Sequence, residues 1–408
     1  MTKREPGSSS GLGHSGLNRH SDFELRAWSR HVRSTADVVV VGAGVIGAAT
    51  GYYLAKQGLK VLVLERDFPC AGSTGRCIGG IRAQFSHDLT IRVMIESVRM
   101  FRVLSDELGQ DVEWYSGGYL FLAFDEKRKR AFLDAIAIQK KYGLDVRFVA
   151  PDECEKIAPG LDPTGLLGGA YCPTDGQANP FKVTYGYLEG IKRLGGGLVV
   201  GCDVKQVNKQ GDKVVSVTDA KGDEYACDML LNAAGCWADE VGAMAGASVP
   251  VTADRHESLV TEAVERVFSP MLVDYRSDGC YFVQHSGTGH FIGCYTPVPL
   301  VPGHNVDVTD EFITEMPRRM VRLVPKLAGV KVLRQWAGSY EMSPDGNPLC
   351  GDTPVRGLYV STGMSGHGFM FAPALGKLMA EQMVNGRASI PLDEFFLSRS
   401  FGKAEALK

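Results

Sequence analysis

The 408-residue sequence has no two cysteines spaced two or three apart, no surplus of charge of either sign, and no apolar run approaching a membrane span. Each absence removes a class of protein. The ten cysteines, at 70, 77, 154, 172, 202, 227, 236, 280, 294 and 350, lack the spacing of a zinc or iron–sulfur ligand set, so no metal site is expected. Several stand in apolar strands or beside glycines, which points to reduced, buried thiols in a reducing compartment. With 44 Lys and Arg against 47 Asp and Glu, and a pI near 6.3, there is no basic field for nucleic acid. A spanning helix needs about eighteen consecutive apolar residues, and none occurs. A cytoplasmic protein is expected, peripheral to a membrane only through partners. What remains is an ordinary globular composition, 44% hydrophobic and 22% charged, long enough for two domains.

Against that background the most informative stretch is ADVVVVGAGVIGAATGYYLAKQGLKVLVLERD, from Ala36 to Asp67. Val38 to Val41 is too short for a helix and β-branched throughout, so it predicts a buried strand of a parallel sheet. Gly42, Gly44 and Gly47 follow in G-x-G-x-x-G spacing. The first permits a tight turn, the second lets backbone approach a pyrophosphate, and the third lets the next helix pack on the strand. That helix is expected from about Val45 to Gln57, with Gly58 as its stop. Its first residues, Val45 and Ile46, carry free N–H groups at the positive end of the helix, where the pyrophosphate belongs. A second strand, Lys60 to Leu64, delivers Glu65 to a position where a carboxylate accepts hydrogen bonds from ribose. An acid there argues against a 2′-phosphate. This is a dinucleotide site for FAD or NAD.

Residues 1 to 35 show little periodicity; Gly7 to Gly16 is expected to be disordered, and Phe23 to Val32 suits a short helix. After Arg66 comes a long loop in which Ser73 and Thr74 offer hydroxyls to a phosphate, and Gly79 and Gly80 let backbone pass close to a flat ligand. His87 to Gly109 predicts an amphipathic helix. From Asp111 the texture changes: a hairpin of Val112–Tyr115 and Gly118–Phe124, a helix over Glu126–Tyr142 and a strand at Val146–Val149. A helix over Pro180–Leu194 follows, then a meander of Val199–Val207, Lys213–Thr218 and Glu224–Ala226. Met229–Asn232 is a strand leading through Ala234 and Gly235 to a helix near Trp237. Further strands are expected at Ser258–Thr261, Cys280–Gln284 and Phe291–Tyr295, with a helix over Val308–Leu323. Finally Leu358–Ser361 is a strand, Gly363, Gly366 and Gly368 form a loop, and Ala372–Val384 is a helix.

Together these residues resemble the D-amino-acid-oxidase-like (DAO) family of FAD-dependent oxidoreductases over about 36 to 395. The likeness rests on VVVVGAGVIGAATGYYLA with LERD, GSTGRCIGGIRAQFS, NAAGCWA, SYEMSPDGNPLCG and STGMSGHGFMFAPALGK. It implies a mixed α/β and α+β fold of the glutathione-reductase/DAO type. A Rossmann-like FAD-binding domain would comprise 36–112, 168–240 and 336–395, with an inserted antiparallel-sheet substrate domain of 113–167 and 241–335, and a tail at 396–408. FAD contacts are then expected at Gly42, Gly44, Val45, Ile46, Gly47, Glu65, Arg66, Ser73, Thr74, Gly80, Ile81, Val204, Ala234, Gly235, Trp237 and Gly363. In this family the helix after the last motif points its N-terminus at the flavin pyrimidine ring. N–H groups at Gly366, His367, Gly368 and Phe369 would stabilise the negative charge that reduction leaves there.

Within the family, STGRCIGGIRAQFS resembles the β-type subunits of sarcosine oxidase, proline, hydroxyproline and opine dehydrogenases and hydrogen cyanide synthase. That implies oxidation of a small amino acid or amine and an electron-accepting partner subunit. Arg82 is the candidate cation for the substrate carboxylate, since a guanidinium grips it through two parallel bonds. Met370 and Tyr340 stand where relatives carry a lysine and an arginine, so Tyr340 and Tyr295 are candidate hydroxyl donors, with His367 beside them. Phe291 falls where monomeric oxidases place an oxygen-activating lysine, which implies a dehydrogenase. Gly338 and Pro180 fall where relatives tether FAD and FMN, so FAD should be non-covalent, and any FMN non-covalent and shared with a partner. His256 and Glu257 either face the pocket or form a surface pair, and Trp336 reads as core. The rival readings are a stand-alone oxidase releasing hydrogen peroxide and a flavin-binding scaffold without turnover.

Overall fold

The computed structural model describes residues 35–402 and 404–407; the expectations for Gly7–Gly16 and Phe23–Val32 lie outside them. In chain order the elements are β1 (Ala36–Val41), α1 (Val45–Lys56), β2 (Val61–Glu65), β3 (Gly80–Ile81), α2 (Asp88–Phe101), α3 (Leu104–Leu108), β4 (Tyr119–Ala123), α4 (Glu126–Lys141), β5 (Arg147–Val149), α5 (Pro151–Ile157), β6 (Gly168–Cys172), β7 (Gly176–Gln177), α6 (Pro180–Arg193) and β8 (Gly197–Val200). There follow β9 (Val204–Gln210), β10 (Lys213–Asp219), β11 (Glu224–Asn232), α7 (Ala238–Ala245), β12 (Thr252–Ala263), β13 (Met271–Asp274), β14 (Tyr281–Gln284), β15 (His290–Cys294), α8 (Asp310–Leu323), β16 (Val332–Met342), β17 (Leu349–Asp352), β18 (Leu358–Thr362) and α9 (Gly368–Asn385).

They form two large sheets. The first runs β17-β18-β11-β1-β2-β8, parallel from β18 to β8, with β10 and β9 added antiparallel beyond β11. The second runs β16-β12-β15-β14-β13-β4-β6-β5 and is antiparallel except at β13 and β4. The valines of β1 are buried on both faces of the first sheet, as a central parallel strand requires. Helix α1 is buried from Val45 to Ala55 because it lies between α6 and α9 as well as on the sheet. Small residues make that possible: a Cβ added at Gly376 of α9 would stand 2.8 Å from the Cβ of Ala49. The ten cysteines are free thiols, and all but half-buried Cys77 are buried. No helix among the described residues is long and apolar enough to cross a membrane.

Several sequence expectations shift. The hairpin at 112–124 does not form: Tyr115 makes only an isolated bridge to Gln177, and β4, buried at every residue, pairs with β6 and β13 instead. The helix expected over 87–109 is two, α2 and α3, broken at Arg102 and Val103. Val199–Val207 divides into β8 and β9 at Gly201, whose φ of +65° no strand carries. Conversely, Glu224–Ala226 and Met229–Asn232 are one strand, β11, in which Asp228 is a solvent-facing position. Helix α9 starts at Gly368 rather than Ala372, accommodating Pro373 early in its length. Strands β6 and β16 belong to the second sheet, so by sheet membership the returns to the first layer come after Cys172 and after Met342.

The glycine spacing of the first turn yields a stability test. A Cβ at Gly47 would collide with the carbonyl oxygen of Gly42, whereas one at Gly51 would meet only side-chain methyls, that of Ile191 at 3.0 Å and one of Val61 at 3.3 Å. Gly47→Ala is expected to cost at least ~2 kcal/mol and to lose flavin on desalting, with Gly51→Ala the milder change. Urea midpoints and flavin absorbance check this; equal midpoints for the two variants would contradict it.

Candidate cofactor and substrate site

One cavity of about 700 Å³ runs from the ends of β1 and β2, past the N-termini of α1 and α9, to the face of the second sheet. At its nucleotide end Gly42, with φ +108°, turns the chain so tightly against β11 that a Cβ would strike the Ala233 carbonyl oxygen. Gly44 is the N-cap of α1, and the Val45 N–H donates to Thr74 Oγ1 at 3.1 Å. Glu65 accepts from the Ala43 N–H at 2.8 Å and from the Asp67 N–H at 2.9 Å; burial raises its carboxyl above the usual range despite those bonds. The Arg66 guanidinium lies 4.4 Å from the ring centre of Trp237, which stacks in turn on His304. Ser73 donates to the Ser339 carbonyl at 2.6 Å, tying the loop to β16.

Most of the expected cofactor residues meet here: Gly42, Gly44, Val45, Ile46, Glu65, Arg66, Ser73, Thr74, Gly80, Val204, Ala234, Gly235, Trp237, Gly366, His367, Gly368 and Phe369 line the cavity. Three expected contacts do not. Gly47 serves helix–strand packing, Ile81 is fully buried in β3, and Gly363 turns the chain after β18 against Leu349. An elongated cavity with two helix N-termini opening on it and a carboxylate at the end of β2 fits FAD.

At the other end Arg82 is 5% exposed. Its guanidinium donates to the Gln84 and Leu407 carbonyls, lies 3.1 Å from His367 Nε2, and covers the ring of Phe85 at 3.9 Å. Because arginine only donates, His367 Nε2 accepts and its proton resides on Nδ1. Among the described residues no carboxylate pairs with Arg82. Tyr340 OH lies 2.6 Å from Tyr281 OH, which donates to Cys294 Sγ at 2.9 Å. Gly366 must be glycine, since a Cβ there would enter the Tyr340 ring.

The parity of β12 separates His256 from Glu257. His256, opposite Gly338 on β16, faces the cavity and stacks on Tyr340 at 3.7 Å and 13°. Glu257 points away and accepts from the N–H and hydroxyl of Thr309, the N-cap of α8. Burial pushes His256 down to about 4, and its Nδ1 has no hydrogen-bond partner among the described residues. Burial likewise pushes Glu341 up to about 7; this carboxyl, which sequence reasoning missed, accepts from Thr362 Oγ1 at 3.3 Å beside Gly235 and Gly368.

Two expectations from β15 are corrected by the same parity argument. Cys294 and Thr296 face the cavity, so Phe291 and Tyr295 face the other way. Tyr295 stacks on Phe312 at 5.0 Å beneath Arg319, and Phe291 packs against Phe268 and Phe282 in the second core. Neither reaches the candidate site. Trp336 donates its Nε1 proton to the Arg76 carbonyl and does not line the cavity.

A family model described as FAD dependent oxidoreductase matches residues 37–382. The chain is 28% identical over 398 residues to sarcosine oxidase subunit beta of Rhodobacter capsulatus, covering 94% of this chain and 93% of that one. It is 27% identical over 378 residues to the mitochondrial sarcosine dehydrogenase of Homo sapiens, spanning 88% of this chain but 41% of that longer protein. The solved structure of L-proline dehydrogenase from P. horikoshii matches with a TM-score of 0.85 at 32% identity, covering 90% of this chain and 97% of that one.

The neutral burial of His256 sets an acid-side stability loss. Above about pH 7 the imidazole is neutral in both states; between the unfolded value near 6.5 and the folded value of about 4, only the unfolded chain takes up the proton. Stability of the cofactor-free protein should therefore fall as pH drops through that window, by roughly 3 kcal/mol from this group. His256→Gln should lessen the fall, as read from urea midpoints near pH 7.5 and about pH 4.5. Equal acid losses in the two proteins would overturn the assignment.

Proposed function

The chain belongs to the FAD dependent oxidoreductase (DAO) family, and from that membership we propose that it oxidises the C–N bond of a small amino acid of the sarcosine, proline or glycine type. The observation that carries this reading is Arg82: a buried guanidinium beside the N-terminus of α9 whose acceptors among the described residues are two backbone carbonyls and an imidazole nitrogen. Two charge-assisted bonds to a substrate carboxylate satisfy it and fix one end of the substrate. The neutral His256 stacks flat on Tyr340 at the cavity wall, and the hydroxyl pair of Tyr340 and Tyr281 closes the same wall. In the reaction the C–H bond beside nitrogen breaks and the nitrogen lone pair forms the C=N bond, leaving an iminium. FAD, when bound, supplies the acceptor for the departing hydride. The first turn of α9 presents N–H groups and a positive dipole end to the cavity, which favours the electron-rich form of the acceptor.

The dehydrogenase reading loses its support from Phe291 but keeps another. Among the described residues the lysine that lines the cavity, Lys205, stands on β9 at the nucleotide end, and none of them brings an ammonium group to the substrate end to stabilise reduced oxygen. Similarity to a β subunit of sarcosine oxidase supports a hetero-oligomer in which a partner takes the electrons, with any FMN held non-covalently at their interface.

Anaerobic titration of the flavin absorbance with sarcosine, L-proline and glycine in turn tests the proposal. Bleaching by one of them and slow recovery in air is the expected result; steady hydrogen peroxide would replace it with a stand-alone oxidase, and no bleaching even with the partner present would overturn turnover itself. Arg82→Ala should lower kcat/KM about a hundredfold, the loss of a charge-assisted pair worth ~3 kcal/mol. An unchanged value would remove Arg82 from the carboxylate site.

A further inference from the structure

The chain beyond α9 returns to the substrate end by three fastenings. Arg399, 7% exposed at its side chain, forms two parallel bonds to Asp345, Nε at 3.0 Å and one terminal nitrogen at 2.8 Å. This anchors the tail to the loop that follows Tyr340 and β16. Glu405, buried at 4% exposure, accepts from the Ser86 N–H at 2.9 Å, the His87 N–H at 3.0 Å and the Ser86 hydroxyl. His87 is the N-cap of α2, so the carboxylate lies against the positive end of that helix, five residues beyond Arg82. Leu407, 2% exposed, is packed in the first core, and its carbonyl accepts from both Arg82 and Tyr275 OH, the latter at 3.2 Å.

Arg82 and Tyr275 line the cavity and Leu407 does not. The Leu407 carbonyl therefore meets the guanidinium from behind. Together with the Gln84 carbonyl and His367 Nε2 it holds Arg82 through acceptors that carry no charge. Such acceptors hold the side chain in one orientation without neutralising its charge. A carboxylate in the place of Leu407 would fix the geometry and cancel the attraction for substrate.

We propose that residues 399–402 and 404–407 form a strap that positions Arg82 for the substrate carboxylate, with Glu405 as its clip and the Leu407 carbonyl as the group that sets the guanidinium. The strap rests on the carboxylate role proposed for Arg82. It makes substrate affinity depend on a segment more than 300 residues away in sequence, and predicts that loosening the tail alters binding before it alters chemistry.

The test compares the full-length flavin-loaded protein with a chain ending at Ser400 and with Glu405→Ala. Two quantities are read: the dissociation constant of pyrrole-2-carboxylate from its perturbation of the flavin spectrum, and KM and kcat for whichever amino acid bleaches the flavin. Both changes should raise the dissociation constant and KM about tenfold and leave kcat within about twofold, because an interaction removed equally from ground and transition state raises KM alone. In an Arg82→Met background the truncation should have no further effect on either constant, which a general loss of structure would not reproduce. Unchanged affinity in folded, flavin-loaded truncated protein overturns the strap, as does tighter binding, which would mean the tail obstructs the site. If the truncated chain does not fold, Glu405→Ala decides by the same constants. If Arg82→Met alone leaves affinity unchanged, the carboxylate reading has failed; if only the tail variants leave it unchanged, the strap has failed and that reading stands.

Discussion

Strands β1 and β18 run parallel in one sheet, with β11 between them, and each hands the chain within a few residues to a helix whose N-terminus opens on the same cavity. Parallel strands deliver their following helices to one edge, so both positive helix ends must fall on that side. The whole site depends on this geometry, and the geometry depends on close approach. Gly42 and Gly47 let α1 settle onto its strand, and Gly376 lets α9 settle onto α1 at Ala49. A methyl group at any of these places would separate a helix from its neighbour and swing an N-terminus away from the cavity.

The substrate end handles charge differently. Taking a guanidinium out of water costs several kcal/mol, and a structure ordinarily offsets that with a buried carboxylate. Here the Phe85 and Phe121 rings, two carbonyls and an imidazole nitrogen surround Arg82, and among the described residues no carboxylate bonds to it, the buried Asp175 acting on it only through space. The neighbouring titratable groups do not compete: burial holds His256 neutral and raises Tyr340 and Tyr281 far above the range in which they ionise. The result is a buried, fixed positive charge beside neutral donors and acceptors, which favours an anion and orients it.

How much of this the sequence discloses follows from the distance over which each feature is encoded. The β1–α1–β2 unit carries its valines, three glycines and terminal acid within thirty residues, and all of them stand where their spacing places them, with Gly47 in a packing role. Strand β16 is invisible to the same reading: VLRQWAGSYEM mixes arginine, glutamine and glycine, and only pairing with β12 along ten register positions makes it a strand. Phe291 and Tyr295 fall outside the site for a reason of parity. A strand's alternate faces differ by one residue, and no local signal says which face meets the cavity until β15 is set between β12 and β14. His256 and Glu257 stay ambiguous in the sequence for that reason as well, one turned to the site and the other to the cap of α8. Glu341 escapes notice because its raised carboxyl value comes from burial against Gly235 and Gly368, residues brought to it by the other sheet.

Local encoding of the cofactor end and long-range assembly of the substrate end have a consequence for what this architecture can vary. The turn at Gly42 to Gly47 must satisfy strand, helix and pyrophosphate together, so a substitution there fails on several counts. Around Arg82, by contrast, the wall is built from β12, β14, β16, the cap of α9 and the tail, each fastened by its own contacts: Tyr340 to Tyr281, His256 on Tyr340, Glu405 on Ser86. A change in one of these segments reshapes the space beside the carboxylate anchor and leaves the cofactor cradle untouched. Side chains that face the cavity from the second sheet can thus vary the shape of the space beside Arg82, while the Arg82 guanidinium is met by the Leu407 backbone carbonyl, which no side-chain substitution at the cavity surface removes.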